Sequence, residues 1–432
     1  ILSYQKSAGD LNYQLSAYGR SSRVHFEPDL LGDLFFNGEA SDVARNLYSG
    51  GLQLDASYQL GDYHTVRGGF MFLDEYVADN SLTGVFPLGA TGNPSGPAFN
   101  IPDNQVLHGI FAGAYLQDEW KILPQVTLNY GARFDEFYSS FDHENQISPR
   151  VNLIYQPTAS TTLHAGYSRY FTPPPPEAVF SPNFTAYNGT SGSTGSTVNS
   201  PPKAERANYF DAGISQKLNR NLTLGLDGYY KSARNQLDDG LFGQSLVLDT
   251  FNYTQGLIYG VEATASYNQG GFSAYANLAY SIARGKNWSS SQFLFGADGP
   301  GTDLNYVRNN WIYLDHDQRV SGSFGVSYTW KQARGRTTVY CDALYGSGLR
   351  TDAAAADGSN IPNGGSLPHY WTVNMGVEQM FRWSGHDHLR ARLDVENVSD
   401  NTYELRDGSG VGVNAAQFGQ RAGFFGTLSY LF

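Results

Sequence analysis

The chain has 432 residues, with 28 Lys and Arg against 40 Asp and Glu, and a net charge of −12. That balance argues against a basic nucleic-acid surface, and the single cysteine, Cys341, excludes an internal disulfide framework and a cysteine-based metal motif. Mean hydropathy is −0.39 and no apolar run reaches the roughly 18 residues of a spanning helix, yet 49 Gly and 14% aromatics suit strands that meet lipid at every second residue.

Ile1 to Lys6 reads as the tail of a strand already running, with no signal peptide before it. Amphipathic segments of about 10 or more residues follow along the whole length. Val126, Leu128, Tyr130, Ala132 and Phe134 alternate with Thr127, Asn129, Gly131, Arg133 and Asp135. Tight turns are expected at Gly61-Asp62, Leu123-Pro124, Thr158-Ala159, Asn219-Arg220, Gln269-Gly270, Ala333-Arg334 and Gly385-His386. Long links are expected at 22–48, 78–106, 173–202, 237–249, 289–314, 349–367 and 404–417, one after every second strand, with 140–145 a short exception. The link at 173–202 opens on Pro173-Pro174-Pro175-Pro176 and continues rich in Gly, Ser and Thr. Toward the end, Leu389, Ala391, Leu393 and Val395 alternate with Arg390, Arg392, Asp394 and Glu396. Four charges on one strand face suit a polar lumen better than a sandwich surface. The last strand places Phe424, Leu428, Tyr430 and Phe432 on one face.

Short turns on one side and long loops on the other define the expected fold. It is all-β: an antiparallel transmembrane β-barrel of about seventeen strands, with long extracellular loops and short periplasmic turns. Bacterial single-chain barrels have even strand counts, so the odd number implies amino-terminal strands outside residues 1–432.

Several strand segments, in order, resemble the TonB-dependent outer-membrane receptors. They are Tyr115-Leu116-Gln117-Asp118-Glu119-Trp120-Lys121, Leu128-Asn129-Tyr130-Gly131-Ala132-Arg133-Phe134-Asp135 and Ser148-Pro149-Arg150. Ala165-Gly166-Tyr167-Ser168-Arg169-Tyr170-Phe171-Thr172-Pro173, Gly260-Val261-Glu262 and Val395-Glu396-Asn397-Val398-Ser399-Asp400-Asn401-Thr402-Tyr403 follow, before the terminal aromatic strand. The resemblance covers the barrel alone. It implies a 22-stranded parent in a Gram-negative outer membrane, with a lumenal plug that contacts TonB, so that about five strands and the plug lie outside this chain. It also implies capture of a scarce nutrient, most often an iron-siderophore complex, and import with energy from the TonB-ExbB-ExbD system. Outer-membrane lipid and the barrel-assembly machinery are the other implied partners, the latter reading Leu428, Tyr430 and Phe432.

The residues leave alternatives open. Loop aromatics Tyr187, Trp288, Phe293, Phe295, Tyr306 and Trp311, with Asp238, Asp239 and Arg308, are candidates for a ligand vestibule, or else they pack loops together. Arg133, Asp135, Arg390, Arg392, Asp394 and Glu396 are expected to face the lumen, where they would hold a plug or solvate the wall. No metal site is expected: along a strand Asp315 and Asp317 share a face that His316 does not, and His386 and His388 flank a turn. No cofactor motif and no nucleophile elbow is found, the nearest being Gly189-Thr190-Ser191-Gly192-Ser193, so no enzyme is expected. A passive porin-like channel is the alternative function.

Overall fold

The computed structural model describes residues 1–179, 184–193, 200–241, 247–289, 302–356, 358–384, 386–412 and 416–430. Strands β1 (Leu2–Ala8), β2 (Leu11–Phe26), β3 (Glu39–Leu60), β4 (His64–Val85) and β5 (Phe99–Leu123) open the sheet. It continues through β6 (Val126–Ser139), β7 (His143–Thr158), β8 (Thr161–Thr172), β9 (Glu205–Lys217), β10 (Leu222–Leu241), β11 (Leu248–Gln269) and β12 (Phe272–Trp288). Then come β13 (Ile312–Tyr313), β14 (Val320–Gln332), β15 (Gly335–Gly346) and a loop hairpin, β16 (Arg350–Ala354) with β17 (Asn360–Ser366). β18 (Tyr370–Trp383), β19 (His386–Glu396), a second loop hairpin, β20 (Glu404–Asp407) with β21 (Ala416–Phe418), and β22 (Gly423–Tyr430) complete the order.

The main sheet has 18 strands, seventeen once the two-residue β13 is set aside, in agreement with the expected count. Successive strands pair antiparallel, and the sheet passes from β15 to β18 and from β19 to β22 across the loop hairpins. Among the described residues, β1 pairs with β2 alone and β22 with β19 alone, so the two ends of the sheet are not joined to each other.

Period-two alternation sets the two faces. On β3, Tyr48, Leu52, Leu54, Tyr58 and Leu60 are exposed on the outer face. Gln53 and Asp55, on the opposite face, form a polar wall that takes the Tyr115 hydroxyl at 2.8 Å on Asp55. Tyr230 and Tyr430 are both about half exposed, as rings at a membrane interface are.

The tight turns fall where expected, Gly385 of the last one lying outside the described residues. The long links need correction. Those expected at 22–48, 78–106 and 237–249 are largely strand: β3 and β4 hold one register from Leu60↔His64 to Glu39↔Val85. The 25 residues of β5 reach about 80 Å, more than twice the length a membrane strand of about 10 residues needs, so these strands project well beyond the bilayer. Their polar composition imitates a loop because the projecting ends carry no lipid-facing apolar stripe. The true connections are shorter. Residues 27–38 carry helix α1 (Leu30–Asn37), capped by Asp29 accepting from the Gly32 amide at 3.2 Å and ended by Gly38 at φ 78°. The link after β12 carries α2 (Thr302–Asn309).

Candidate functional site

On the loop side the inner faces of β3, β4 and β5 become buried, apolar residues standing among paired polar ones. Leu47, Val77 and Leu107 are buried there beneath Val179, and Val85 and Ile101 beneath Tyr187, so residues 173–179 and 184–193 fold over the mouth of the sheet. The Tyr187 hydroxyl donates to Thr83 Oγ1 at 3.3 Å. Arg45 ties this cover to the far side. Its Nε donates to Asp79 at 2.5 Å and its Nη2 to Asp249 of β11 at 2.6 Å; Nη1 reaches the carbonyls of Leu248 at 2.8 Å and Glu177 at 3.3 Å. Opposite, Phe251, Tyr253, Ala283, Val307, Ile312, Leu314 and Val411 form an apolar cluster joining β11, β12, α2, β13 and the link after β19.

Between these two masses lies a cavity of about 390 Å³. Pro175, Asp238, Asp239, Asp315, His316 and Arg406 are among its lining residues. Asp315 and His316 sit in a turn after β13, not in a strand. The alternation expected for Asp315-His316-Asp317 therefore fails. His316 Nδ1 lies 3.0 Å from Asp315 Oδ1 and 3.7 Å from Asp238 Oδ1. Asp317 turns away to accept from the Ala283 amide at 2.7 Å and from Arg350, whose guanidinium covers the Tyr313 ring at 3.9 Å. Burial pushes the Asp238 carboxyl up to about 7. The hydrogen bond with Asp315 raises His316 to about 8.

The other candidates separate clearly. Tyr187 is only 4% exposed, and Trp288, which ends β12 rather than lying in a loop, and Tyr306 on α2 pack against the apolar cluster, so these three rings serve packing at the mouth. Trp311 is 39% exposed. Arg308 is exposed at the end of α2 and does not line the cavity. Phe293, Phe295 and Phe432 lie outside the described residues. Leu428 and Tyr430 are exposed on β22. The wall charges find partners in the wall itself: Arg133 binds Asp135 at 2.5 Å, and Arg392 binds Asp394 at 2.7 Å while Asp394 also accepts from Tyr340. Arg390 donates to Ser429 at 3.4 Å, and Glu396 stands opposite Gly423.

Sequence reasoning passed over Arg45, Asp79, Asp249, Arg350 and Arg406. Two of these were within reach: the tight turn at Gly61-Asp62 sets the β3–β4 register, and that register puts Arg45 directly opposite Asp79.

An antiparallel sheet of this size, with long projections on one side and tight turns on the other, defines an outer-membrane β-barrel protein. The family described as TonB dependent receptor-like, beta-barrel, matches residues 1–398, and the chain belongs to it. No curated protein matches the sequence. Among solved structures, the chain is similar to the ferric yersiniabactin uptake receptor FyuA from Yersinia pestis (13% identity, TM-score 0.65, 100% of this chain and 60% of that one). It is also similar to the ferric citrate transporter FecA (18%, 0.62, 99% and 60%) and to BauA, the ferric preacinetobactin receptor from Acinetobacter baumannii (11%, 0.62, 99% and 61%). At these identities the likeness concerns the fold. The chain spans about 60% of the length of these structures. The family and its structural neighbours are outer-membrane receptors and transporters, and this chain's place is the outer membrane.

Proposed function

We propose that this chain is the carboxyl-terminal part of a receptor barrel that captures a scarce nutrient at its extracellular mouth and imports it with energy from TonB, ExbB and ExbD. The observation that carries this reading is the convergence of Pro175, the loop-side ends of β10 and β11, the turn after β13 and Arg406 on one half-open cavity. A channel for free diffusion gains nothing from such a cover, whereas a receptor needs converging loops to enclose its ligand. An iron-siderophore complex is the ligand class proposed first, because it is the commonest cargo in the family and because three structural neighbours are named for ferric chelates. Coupling would run through a plug outside this chain, with further strands joining β1 to β22. Asp238 and Asp239 on the cavity and the open ring of Trp311 are the proposed ligand contacts. The lumenal charges Arg133, Asp135, Arg390, Arg392, Asp394 and Glu396 would meet the plug with whatever hydrogen-bonding capacity the wall leaves.

The test is binding of a panel of ferric chelates to the receptor purified from its complete reading frame, followed by tryptophan quenching. Saturable binding of one chelate below about 1 μM, roughly 8 kcal/mol, is expected. Absence of saturation with every chelate, together with permeation of small sugars through liposomes carrying the protein, would favour the passive channel.

A further inference from the structure

We propose that Asp238, Asp315 and His316 form a binding site for a divalent transition-metal cation, with Zn²⁺ the best-fitting probe. One ligand atom from each residue lies within 4.8 Å of the other two. In a tetrahedral zinc site with bonds near 2.0–2.2 Å, ligand atoms stand about 3.3 Å apart. The pairs His316 Nδ1–Asp315 Oδ1 at 3.0 Å and His316 Nδ1–Asp238 Oδ1 at 3.7 Å bracket that spacing. The ligand atoms of Asp238 and Asp315 lie within 4.8 Å of each other.

A second observation comes from Asp238 itself. It is 8% exposed, and its Oδ2 is buried without a hydrogen-bond partner among the described residues. A buried carboxylate oxygen left unsatisfied is costly; Oδ1 accepts from the Asp239 amide at 3.0 Å, and a cation held by the carboxylate through both oxygens supplies Oδ2 with what the surrounding side chains do not. Arg406 Nε stands 3.2 Å from Asp315 Oδ2, which orients that carboxylate and turns Oδ1 toward His316. All three residues line the cavity, which has room for a water as the fourth ligand. One imidazole nitrogen with two carboxylates suits a borderline ion; calcium prefers six to eight oxygens and magnesium an octahedral oxygen shell. Binding would replace the proton shared between His316 Nδ1 and Asp315. It would also fasten the β10 tip to the turn after β13 and, through Arg406, to the β20–β21 hairpin. The site does not depend on the nutrient-import reading, since it is assayed with the cation alone.

The experiment is calorimetric titration of Zn²⁺ into the receptor purified in detergent from its complete reading frame. Co²⁺ is titrated in parallel and followed by its visible d–d absorption. One saturable site is expected, weakened at least tenfold in His316→Asn and in Asp238→Asn, with the Co²⁺ band lost in both. His316 is half exposed, so its replacement leaves folding intact, and electrophoretic heat-modifiability checks the barrel in each variant. His386→Ala/His388→Ala, at the opposite end of the barrel, should bind as the parent does. Equal binding by parent and His316→Asn, or loss of binding only in the His386/His388 variant, would overturn the proposal. So would a parent protein that binds neither ion.

Discussion

At the scale of single residues, the mouth depends on buried charge. Arg45 links the β3–β4 hairpin to Asp249, and Asp79 Oδ1 and Asp249 Oδ2 have no hydrogen-bond partner among the described residues. Arg45→Met removes the cation and leaves two carboxylates buried, a change expected to cost about 3–5 kcal/mol. Hydrogen exchange at residues 43–47 and 248–253 should accelerate accordingly, and adding Asp79→Asn and Asp249→Asn should recover part of the protection. Unchanged exchange in Arg45→Met would remove this clasp from the account. Asp142 gives a pH signature at the same scale. Burial, and then Glu144 beside it, raises its carboxyl to about 6 from 3.8. Glu144 is held below its ordinary value, burial being outweighed by hydrogen bonds from Asp142, Arg206 and the Ala204 amide. Because the folded-state value of Asp142 is raised, its contribution is complete below pH 3.8 and is lost as the pH rises through about 6. Segment 200–206, anchored to Glu144 through Ala204 and Arg206, should therefore exchange faster at pH 7.5 than at pH 5 after correction for intrinsic rates. In Asp142→Asn that difference should shrink; an undiminished difference would assign it to other groups.

At the scale of elements, the loops behave as packed structure. Asn363, fully buried at φ 55°, donates to the carbonyls of Tyr313 at 2.8 Å and Val411 at 2.9 Å and accepts from the Val411 amide at 3.0 Å. One side chain thus joins β17, β13 and the link after β19. Asn363→Ala deletes these bonds, strands buried polar groups and is expected to cost about 2–3 kcal/mol. Limited proteolysis should then cut within 404–418 sooner than in the parent, while the membrane-spanning strands stay resistant. The sequence was legible wherever period two was enforced by lipid on one face, as on β6 and β19. It was less legible above the bilayer. There strand residues such as Val43, Arg45 and Leu47 are buried by a loop far away in sequence, and nothing local distinguishes them from a polar link. The cavity shows the same limit. Asp315 and His316 stood out as adjacent metal-binding residue types, but their convergence with Asp238 depends on a turn that alternation does not foresee. Tyr187, Trp288 and Tyr306 read as loop aromatics by sequence, yet type alone could not divide packing rings from ligand contacts.

At the scale of the whole molecule, the account concerns closure and coupling. A sheet whose end strands are unpaired exposes backbone donors and acceptors that lipid cannot satisfy. We expect these edges to be joined by further strands when the complete protein is in the membrane. Produced alone, residues 1–432 should then aggregate and fail to show a heat-modifiable band, whereas the complete reading frame should give one. A monodisperse, heat-modifiable barrel from residues 1–432 would contradict that expectation. The most direct test of the central claim is uptake of a radiolabelled ferric chelate by iron-starved cells carrying the complete reading frame, with and without TonB. Accumulation that requires TonB and stops when the proton gradient is collapsed is the predicted result. Equal uptake in both strains, unsaturated at high chelate concentration, would make the protein a passive pore and contradict the account.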